Sequence, residues 1–163
     1  MVESYTPGRA ASRPPYEAYA AITATFVGGV GLAGIAARIF DRNPACQTPL
    51  DLVVLSFASF KAARTLARDE VTSFLREPFV AGTAHEGDEE PVETGDFRQA
   101  IGELVTCSRC GGTWAAAALA MSQILAPRTG RLLTWSLAAA GINDWLQAGF
   151  AALTEKSSAE QRA

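Results

Sequence analysis

Two cysteines three positions apart, Cys107 and Cys110, are the residues of this chain whose type and spacing most clearly suggest chemistry. A Cys-x-x-Cys pair can supply two of the four ligands of a tetrahedral zinc ion. The same spacing suits a redox dithiol, because such motifs and helix N-termini lower thiol pKa values. A third interpretation is structural, with two small side chains packed at a helix–loop–helix corner. The sequence leaves all three open.

Two helices are expected to position this pair. Asp96 and Gln99 fit a capping box, so one helix should begin there and run to the cysteines. The glycines at 111–112 look like its stop signal. Because an apolar segment follows at once, the pair would also lie just before a second helix. That position is expected to favour ionisation of Cys110 more than that of Cys107.

A complete metal site would need ligands from outside this chain. The sequence contains three cysteines and a single histidine, His85, which falls in an acidic segment and is predicted to be a surface residue. Zinc would therefore have to be shared with a second subunit or a partner, and no other cofactor is expected. The sequence has no Walker loop and no G-x-S-x-G or H-E-x-x-H motif. No catalytic residue is predicted, and a thiol oxidoreductase is the one enzymatic alternative.

Four apolar segments make up most of the remaining sequence, at about residues 18–38, 50–67, 112–126 and 132–153. A helix of about 20 apolar residues spans about 30 Å, the thickness of a bilayer core. The predicted fold is therefore an all-α integral membrane protein with about four transmembrane helices. The membrane domain would cover residues 17–154, between a flexible tail at 1–16 and a polar tail at 155–163.

Two of these segments have competing interpretations. The first has features of a signal peptide, although its apolar stretch is long and starts late. It could also be a buried helix of a soluble bundle. The second segment is short and would cross only if Lys61 and Arg64 reach the membrane interface, and otherwise it would be re-entrant or interfacial. The short turn between the last two segments predicts an antiparallel helical hairpin.

The loop at 68–111 is predicted to be cytoplasmic and to carry a pair of short amphipathic helices. Residues 62–79 have an amphipathic pattern, and residues 81–96 look like an acidic loop. If both termini are inside, the inner segments contain ten of the 14 Lys and Arg residues. The positive-inside rule then assigns the termini and the Cys-x-x-Cys loop to the cytoplasm. Cys46 would lie outside and could not pair with the other two cysteines.

Polar side chains inside the fourth segment form a second candidate site, at Asn143, Asp144 and Gln147. A charge within a span is costly, so Asp144 should have a partner, for which Lys61, Arg64 and Gln147 are candidates. An ion or proton path is the functional interpretation. The alternative is an interhelical hydrogen bond or ion pair that stabilises the bundle.

Small residues at helical spacing predict close helix packing along the first segment. Ala24 with Gly28, and Gly29 with Ala33 and Ala37, form small-xxx-small pairs of the kind that bring membrane helices together. The expected partners are therefore the lipid bilayer and either a second copy of the chain or another membrane protein. A net charge of −3 gives no case for nucleic-acid binding.

Two runs of residues, with Asp144 and Gln147, resemble the bacterial domain-of-unknown-function family numbered 1360. The runs are Arg64-Thr65 with Arg68-Asp69-x-Val71-Thr72-x-Phe74-Leu75-Arg76-Glu77-Pro78-Phe79, and Ile101-Gly102-Glu103-Leu104-Val105-Thr106-Cys107-x-x-Cys110-x-Gly112-x-Trp114. The resemblance covers roughly residues 50–150. Ser108 stands where the family usually has proline, which weakens an analogy with redox Cys-Pro-x-Cys motifs.

The resemblance implies a small helical membrane protein of bacteria, of a kind sometimes labelled a sporulation protein. It brings no established activity. The expected location is the inner membrane. From the residues themselves, the predicted function is a non-enzymatic membrane protein that assembles with itself or with a partner. The alternative is a thiol-redox or zinc-binding membrane protein that uses Cys107 and Cys110. A small transporter built around Asp144 is the remaining hypothesis, and it would require an oligomer.

Overall fold

A computed structural model of the protein describes residues 14–160, so most of the predicted N-terminal tail lies outside the described residues. The described part is all-α apart from one two-residue strand pair, which confirms the predicted class. The helices are α1 (Tyr16–Ile39), α2 (Pro49–Arg68), α3 (Ser73–Arg76), α4 (Phe97–Thr106), α5 (Ser108–Leu125) and α6 (Pro127–Glu160). Strands β1 (Val80–Ala81) and β2 (Glu90–Pro91) pair antiparallel, with Val80 opposite Pro91.

Proline and capping residues set where the long helices begin. Pro49 occupies the first turn of α2, and Thr48 and Asp51 form a reciprocal capping box before it. The Asp51 N–H donates to Thr48 Oγ1 at 3.3 Å, and the Thr48 N–H donates to Asp51 Oδ2 at 2.9 Å. Such a box satisfies two of the N–H groups that a helix start leaves free. Pro127 is likewise the first residue of α6, and only Ala126 separates it from the end of α5.

Helices α2, α5 and α6 pack against one another around a small apolar core. That core contains Val54, Ala58, Leu119 and Ala138, with Phe57 among the partly buried side chains against it. Most of the buried apolar residues of the described chain are alanines: Ala18, Ala37, Ala58, Ala63, Ala67, Ala100 and Ala138. Small residues at helix contacts allow close approach of the backbones.

The four long helices run alternately up and down. At one end, Tyr19 near the start of α1 reaches α4, which leads into α5. At the other end, the start of α6 meets the start of α2, where Arg131 Nη2 lies 3.8 Å from Asp51 Oδ1. The chain segment after α1 lies at this second end as well, since Arg42 and Pro127 line one cavity of about 380 Å³. Residues 69–107 therefore form a polar cap at the first end.

The polar cap differs from the sequence expectation in two places. The pattern over residues 62–79 predicted one amphipathic helix, which is wrong, because α2 ends at Arg68 and short 3-10 turns flank the single turn of α3. The segment at 81–96, expected to be a loop without structure of its own, contributes β2. Gly82 makes its turn with φ of +90°, and a Cβ there would lie 2.6 Å from the Asp88 carbonyl oxygen.

At its far end, α6 continues to Glu160. The sequence placed the end of the fourth segment at Leu153 and a polar tail after it. The helix extends through this polar stretch, and Thr154 Oγ1 donates to the carbonyl of Phe150 at 2.9 Å within it.

Candidate functional site

Cys107 lies at the junction between α4 and α5. It ends the first helix and is the N-cap of the second, where its sulfur accepts a hydrogen bond from the backbone N–H of Cys110 at 3.3 Å. Cys107 is half-buried and Cys110 is exposed. The sequence predicted that the glycines at 111–112 stop a helix. This is wrong, because both lie inside α5. A Cβ on either glycine would come within 3.9 Å of Ala63 on α2, so small residues there allow α5 to begin close to α2.

The two thiols have different electrostatic surroundings. Hydrogen bonds from the Cys110 thiol and then from its backbone N–H lower the pKa of Cys107, and the nearby Arg109 acts in the same direction. The hydrogen bond to Cys107 and burial raise the pKa of Cys110. The expectation that Cys110 would be the more readily ionised thiol was therefore wrong. The N-cap residue, not the residue in the first turn, receives the free N–H groups of the helix.

The described residues contain no cluster of three or more His, Cys, Asp or Glu side chains that could hold a metal ion. His85 lies on the surface of the polar cap, with Nδ1 3.9 Å from Glu70 Oε1. Within one chain, the described residues therefore offer no complete zinc site around Cys107 and Cys110, and the expectation that a second subunit or a partner would supply the remaining ligands stays a prediction.

Arg76 is the most buried charged residue of the described chain, with 0% of its surface exposed. Its Nη1 donates to the carbonyl of Leu66 at 2.7 Å and to that of Asp69 at 3.1 Å, at the end of α2. Its Nε and Nη2 both donate to Glu89 Oε2, at 3.0 and 2.6 Å. One guanidinium therefore satisfies carbonyls that the helix end leaves free and fixes the acidic segment against them.

No local pattern in the sequence singles out Arg76. It was one of several charged residues in an amphipathic stretch, and Glu89 lies 13 positions away in the acidic segment. The two residues meet because the pairing of β1 with β2 brings Glu89, directly before β2, back towards α3. The role of Arg76 depends on that tertiary contact and on no local pattern.

Helix α1 is joined to the polar cap by a short hydrogen-bonded chain. The Tyr19 hydroxyl donates to Glu103 Oε2 on α4. Gln99 Nε2 donates to the other oxygen of Glu103 at 2.8 Å, and Gln99 Oε1 accepts from the Gly95 N–H at 2.9 Å. Asp96 accepts from the Arg98 N–H at 2.9 Å, so Asp96 and Gln99 each bond near the start of α4 without forming the reciprocal box that the sequence suggested.

Asp144 on α6 pairs with Lys61 on α2, with Nζ 2.9 Å from Oδ2. Arg64 lines a small pocket of about 230 Å³ next to Asp144, together with Phe60 and Trp145. Of the three partners expected for Asp144, Lys61 is thus the one in direct contact. Asn143 and Gln147 are on the exposed side of α6.

The small residues of α1 have unequal surroundings. Within the described part of the chain, a Cβ on Gly28 or Gly29 would meet nothing within 4 Å, whereas Ala37 is buried and Ala33 half-buried. Two glycines that the sequence analysis did not single out make the close helix contacts. A Cβ on Gly130 would lie 2.3 Å from the Ser122 carbonyl group on α5, and one on Gly141 would lie 2.8 Å from the Phe57 carbonyl oxygen on α2.

These features define a small all-α protein in which a helical bundle carries a polar cap with an accessible pair of thiols. Residues 54–150 match the family described as a protein of unknown function (DUF1360), and the chain belongs to this family. The match extends from α2 to α6 and leaves out α1. It confirms the resemblance noted from the sequence.

Two relatives from Bacillus subtilis (strain 168) are similar to this chain. One is named sporulation protein YjcA and is 33% identical over 117 residues, which cover 60% of this chain and 95% of that protein. The other is named UPF0713 protein YngL and is 28% identical over 97 residues, which cover 56% of this chain and 72% of that protein. No solved structure matches the chain.

Proposed function

We propose that this protein is a multi-pass inner-membrane component that acts by assembling with itself or with another membrane protein. In this proposal α1, α2, α5 and α6 cross the bilayer, and the polar cap and both termini are cytoplasmic. The single observation that carries the proposal is the distribution of side chains, with alanines inside and large apolar residues outside.

The exposed apolar residues cover the outer faces of three long helices. They include Val27, Val30, Leu32, Ile35 and Ile39 on α1, Leu50, Leu52, Val53 and Phe60 on α2, and Leu132, Leu133, Trp135, Ile142, Trp145, Leu146, Phe150 and Leu153 on α6. Leu32 is 68% exposed and Phe150 is 74% exposed. A soluble protein rarely leaves so extended an apolar surface uncovered. Lipid is the environment in which this surface is favourable.

Among the described residues, α1 is the one helix that is both long and apolar enough to cross a membrane by itself. Only 6% of the apolar stretch of α1 is buried in the molecule, which argues against a buried helix of a soluble bundle. Helices α2 and α6 carry charges, and a charged residue at the centre of a span costs about 2.5–3.5 kcal/mol. The 2.9 Å contact between Lys61 and Asp144 pairs two of these charges between the helices. These helices would cross as a packed unit.

Assembly is supported by the position of α1 at the edge of the bundle. The surroundings of Gly28 and Gly29 are open, so a second helix can approach α1 closely there. Asp144 is half-buried and paired with Lys61, which favours an interhelical lock over an ion path. The DUF1360 family carries no established activity, so assembly is argued from the surface alone.

A labelling experiment in intact cells tests the topology. Variants that each retain one cysteine, Cys46, Cys107 or Cys110, are treated with a membrane-impermeant maleimide before and after lysis. We expect Cys46 to label before lysis and the other two only afterwards. Labelling of Cys107 and Cys110 from outside would contradict the proposed orientation, and protein recovered without membranes would contradict the membrane proposal itself.

The assembly proposal is tested on the purified protein in mild detergent. Its mass by light scattering should exceed that of one chain, and Gly28→Ile should reduce it. Since a Cβ on Gly28 would meet no other side chain or helix among residues 14–160 within 4 Å, that substitution should leave the thermal unfolding of the bundle unchanged. A strictly monomeric protein that recovers no membrane partner after crosslinking would overturn the proposal.

A further inference from the structure

The proposed function leaves one chemically competent group unused, the pair of thiols at the start of α5. Cys107 is the N-cap of an 18-residue helix, and its sulfur accepts the backbone N–H of Cys110 at 3.3 Å. We propose that Cys107 and Cys110 form a thiol–disulfide exchange site, in which Cys107 attacks a substrate disulfide and Cys110 releases the product. This activity goes beyond membrane assembly and does not depend on it. The side of the membrane on which the site acts rests on the orientation given in the proposed function.

The two sulfurs are placed for a two-step exchange. Cys107 and Cys110 lie within the same helix start, one turn apart, and each thiol is the main influence on the titration of the other. A protein in which the pair served only as small packing residues would bury both side chains. Here Cys110 is exposed and Cys107 is only half-buried, so a substrate disulfide can reach both.

The polarity of the site assigns the roles of the two cysteines. The Cys110 thiol, then the N–H groups at the start of α5 and the adjacent Arg109, favour the thiolate of Cys107. The thiolate is the attacking form in disulfide exchange, so Cys107 is the nucleophile. Cys110 keeps its proton until the second step, because its neighbours Cys107 and Glu103 disfavour its charge. The positive charge of Arg109 would attract a substrate disulfide that carries carboxylates.

The exchange balances without a metal or an organic cofactor. The Cys107 thiolate attacks one sulfur of a disulfide, the substrate S–S bond breaks, and the first substrate thiolate leaves and takes a proton from water. Cys110 then loses its proton to water and attacks Cys107 in the mixed disulfide, which releases the second substrate thiol. The substrate disulfide is reduced to two thiols, and the Cys107–Cys110 dithiol is oxidised to a disulfide.

The test uses the full chain in detergent, with Cys46→Ser to remove the third thiol. One equivalent of the aromatic disulfide 5,5′-dithiobis(2-nitrobenzoate) is added, and the released thiolate is followed by absorbance. We expect two equivalents of thiolate per chain, and an intact mass lower by two hydrogens and without an adduct. Release of a single equivalent with a stable adduct would mean that Cys110 does not resolve, and the proposal would fail.

Two further variants separate the roles and control for folding. Cys110→Ser should release one equivalent and retain the mixed disulfide on Cys107. Cys107→Ser should react severalfold more slowly with the neutral reagent iodoacetamide than Cys110→Ser does. Both should keep the helical circular dichroism and elution volume of the parent. Equal alkylation rates in folded variants would overturn the assignment, and so would thiols that react no faster than free cysteine.

The exchange proposal and the membrane proposal are tested by separate measurements, so each can fail without the other. Thiol exchange is measured on purified protein and needs no bilayer, whereas topology is measured by labelling in cells. An active dithiol with the opposite orientation would leave the exchange site valid and reject the cytoplasmic placement. Inert thiols with the expected topology would do the reverse.

Discussion

The helical bundle and the polar cap are held together by different forces. They are nevertheless continuous in the chain, because the polar cap follows the end of α2 and precedes the start of α5. In the bundle, helices α2, α5 and α6 meet largely through alanine and glycine, and many large apolar side chains of α2 and α6 face outward. In the polar cap, the central residue is a fully buried arginine with four hydrogen-bond acceptors. The comparison teaches that the close approach of helix backbones determines the structure of the bundle. Hydrogen bonding of buried polar groups determines that of the polar cap.

The largest effect is expected in the polar cap, from Arg76→Met. This change leaves Glu89 without its ion-pair partner and removes the guanidinium donor to the Leu66 and Asp69 carbonyls at the end of α2. Breaking a buried ion pair from one side costs about 3–5 kcal/mol. We expect a loss of this order in the free energy of unfolding, measured by denaturant titration in detergent.

The matched control for Arg76 is Arg68→Met, which removes the same charge from an exposed position at the end of α2. It should change the stability little. Equal losses for the two variants would mean that net charge, and not the buried contacts of Arg76, stabilises the polar cap. The comparison between the two regions would then have to be abandoned.

A smaller effect is expected in the bundle, from Gly130→Ala. The added Cβ would lie 2.3 Å from the carbonyl group of Ser122, so α5 and α6 must separate. Overpacking of this kind costs about 1–3 kcal/mol. The loss should appear in the thermal unfolding of the bundle, while amide hydrogen exchange in the polar cap should stay unchanged.

Gly28→Ala is the corresponding control on α1, where a Cβ meets nothing within 4 Å. It should be neutral or stabilise α1 by up to about 1 kcal/mol, because alanine is the better helix former. A loss as large as that of Gly130→Ala would show that contacts outside the single chain already occupy Gly28.

The smallest effect concerns acid and the start of α4. Hydrogen bonds from Thr94 and from the Arg98 N–H hold the pKa of Asp96 below its ordinary value of 3.8. A lowered carboxyl pKa adds stability above the ordinary value and loses it as the pH falls through the folded value. Amide exchange at the start of α4 should therefore quicken in acid. Asp96→Asn keeps a good N-cap and should remove this pH dependence, and an unchanged dependence would contradict the assignment.

Part of the site could be predicted from the sequence because it rests on local spacing. Cys107 and Cys110 are one helical turn apart in any helix, and Lys61 was a natural partner for a charge inside the fourth segment. The order of the two thiol pKa values could not be predicted, since it depends on which residue is the N-cap. The sequence pattern predicted that the helix beginning near Asp96 runs to the glycines after Cys110, whereas in the structure this helix, α4, ends at Thr106.

The sequence by itself determined the all-α class, the four long helices and the membership in the DUF1360 family, because each depends on composition and spacing along the chain. It also determined the up-and-down order, since short connections join α1 to α2 and α5 to α6. Only the tertiary structure decided which small residues pack. Gly130 and Gly141 face another backbone, whereas Gly28 and Gly29 face open space. The buried position of Arg76 was decided in the same way, because its partner Glu89 arrives through strand pairing that no local pattern specifies.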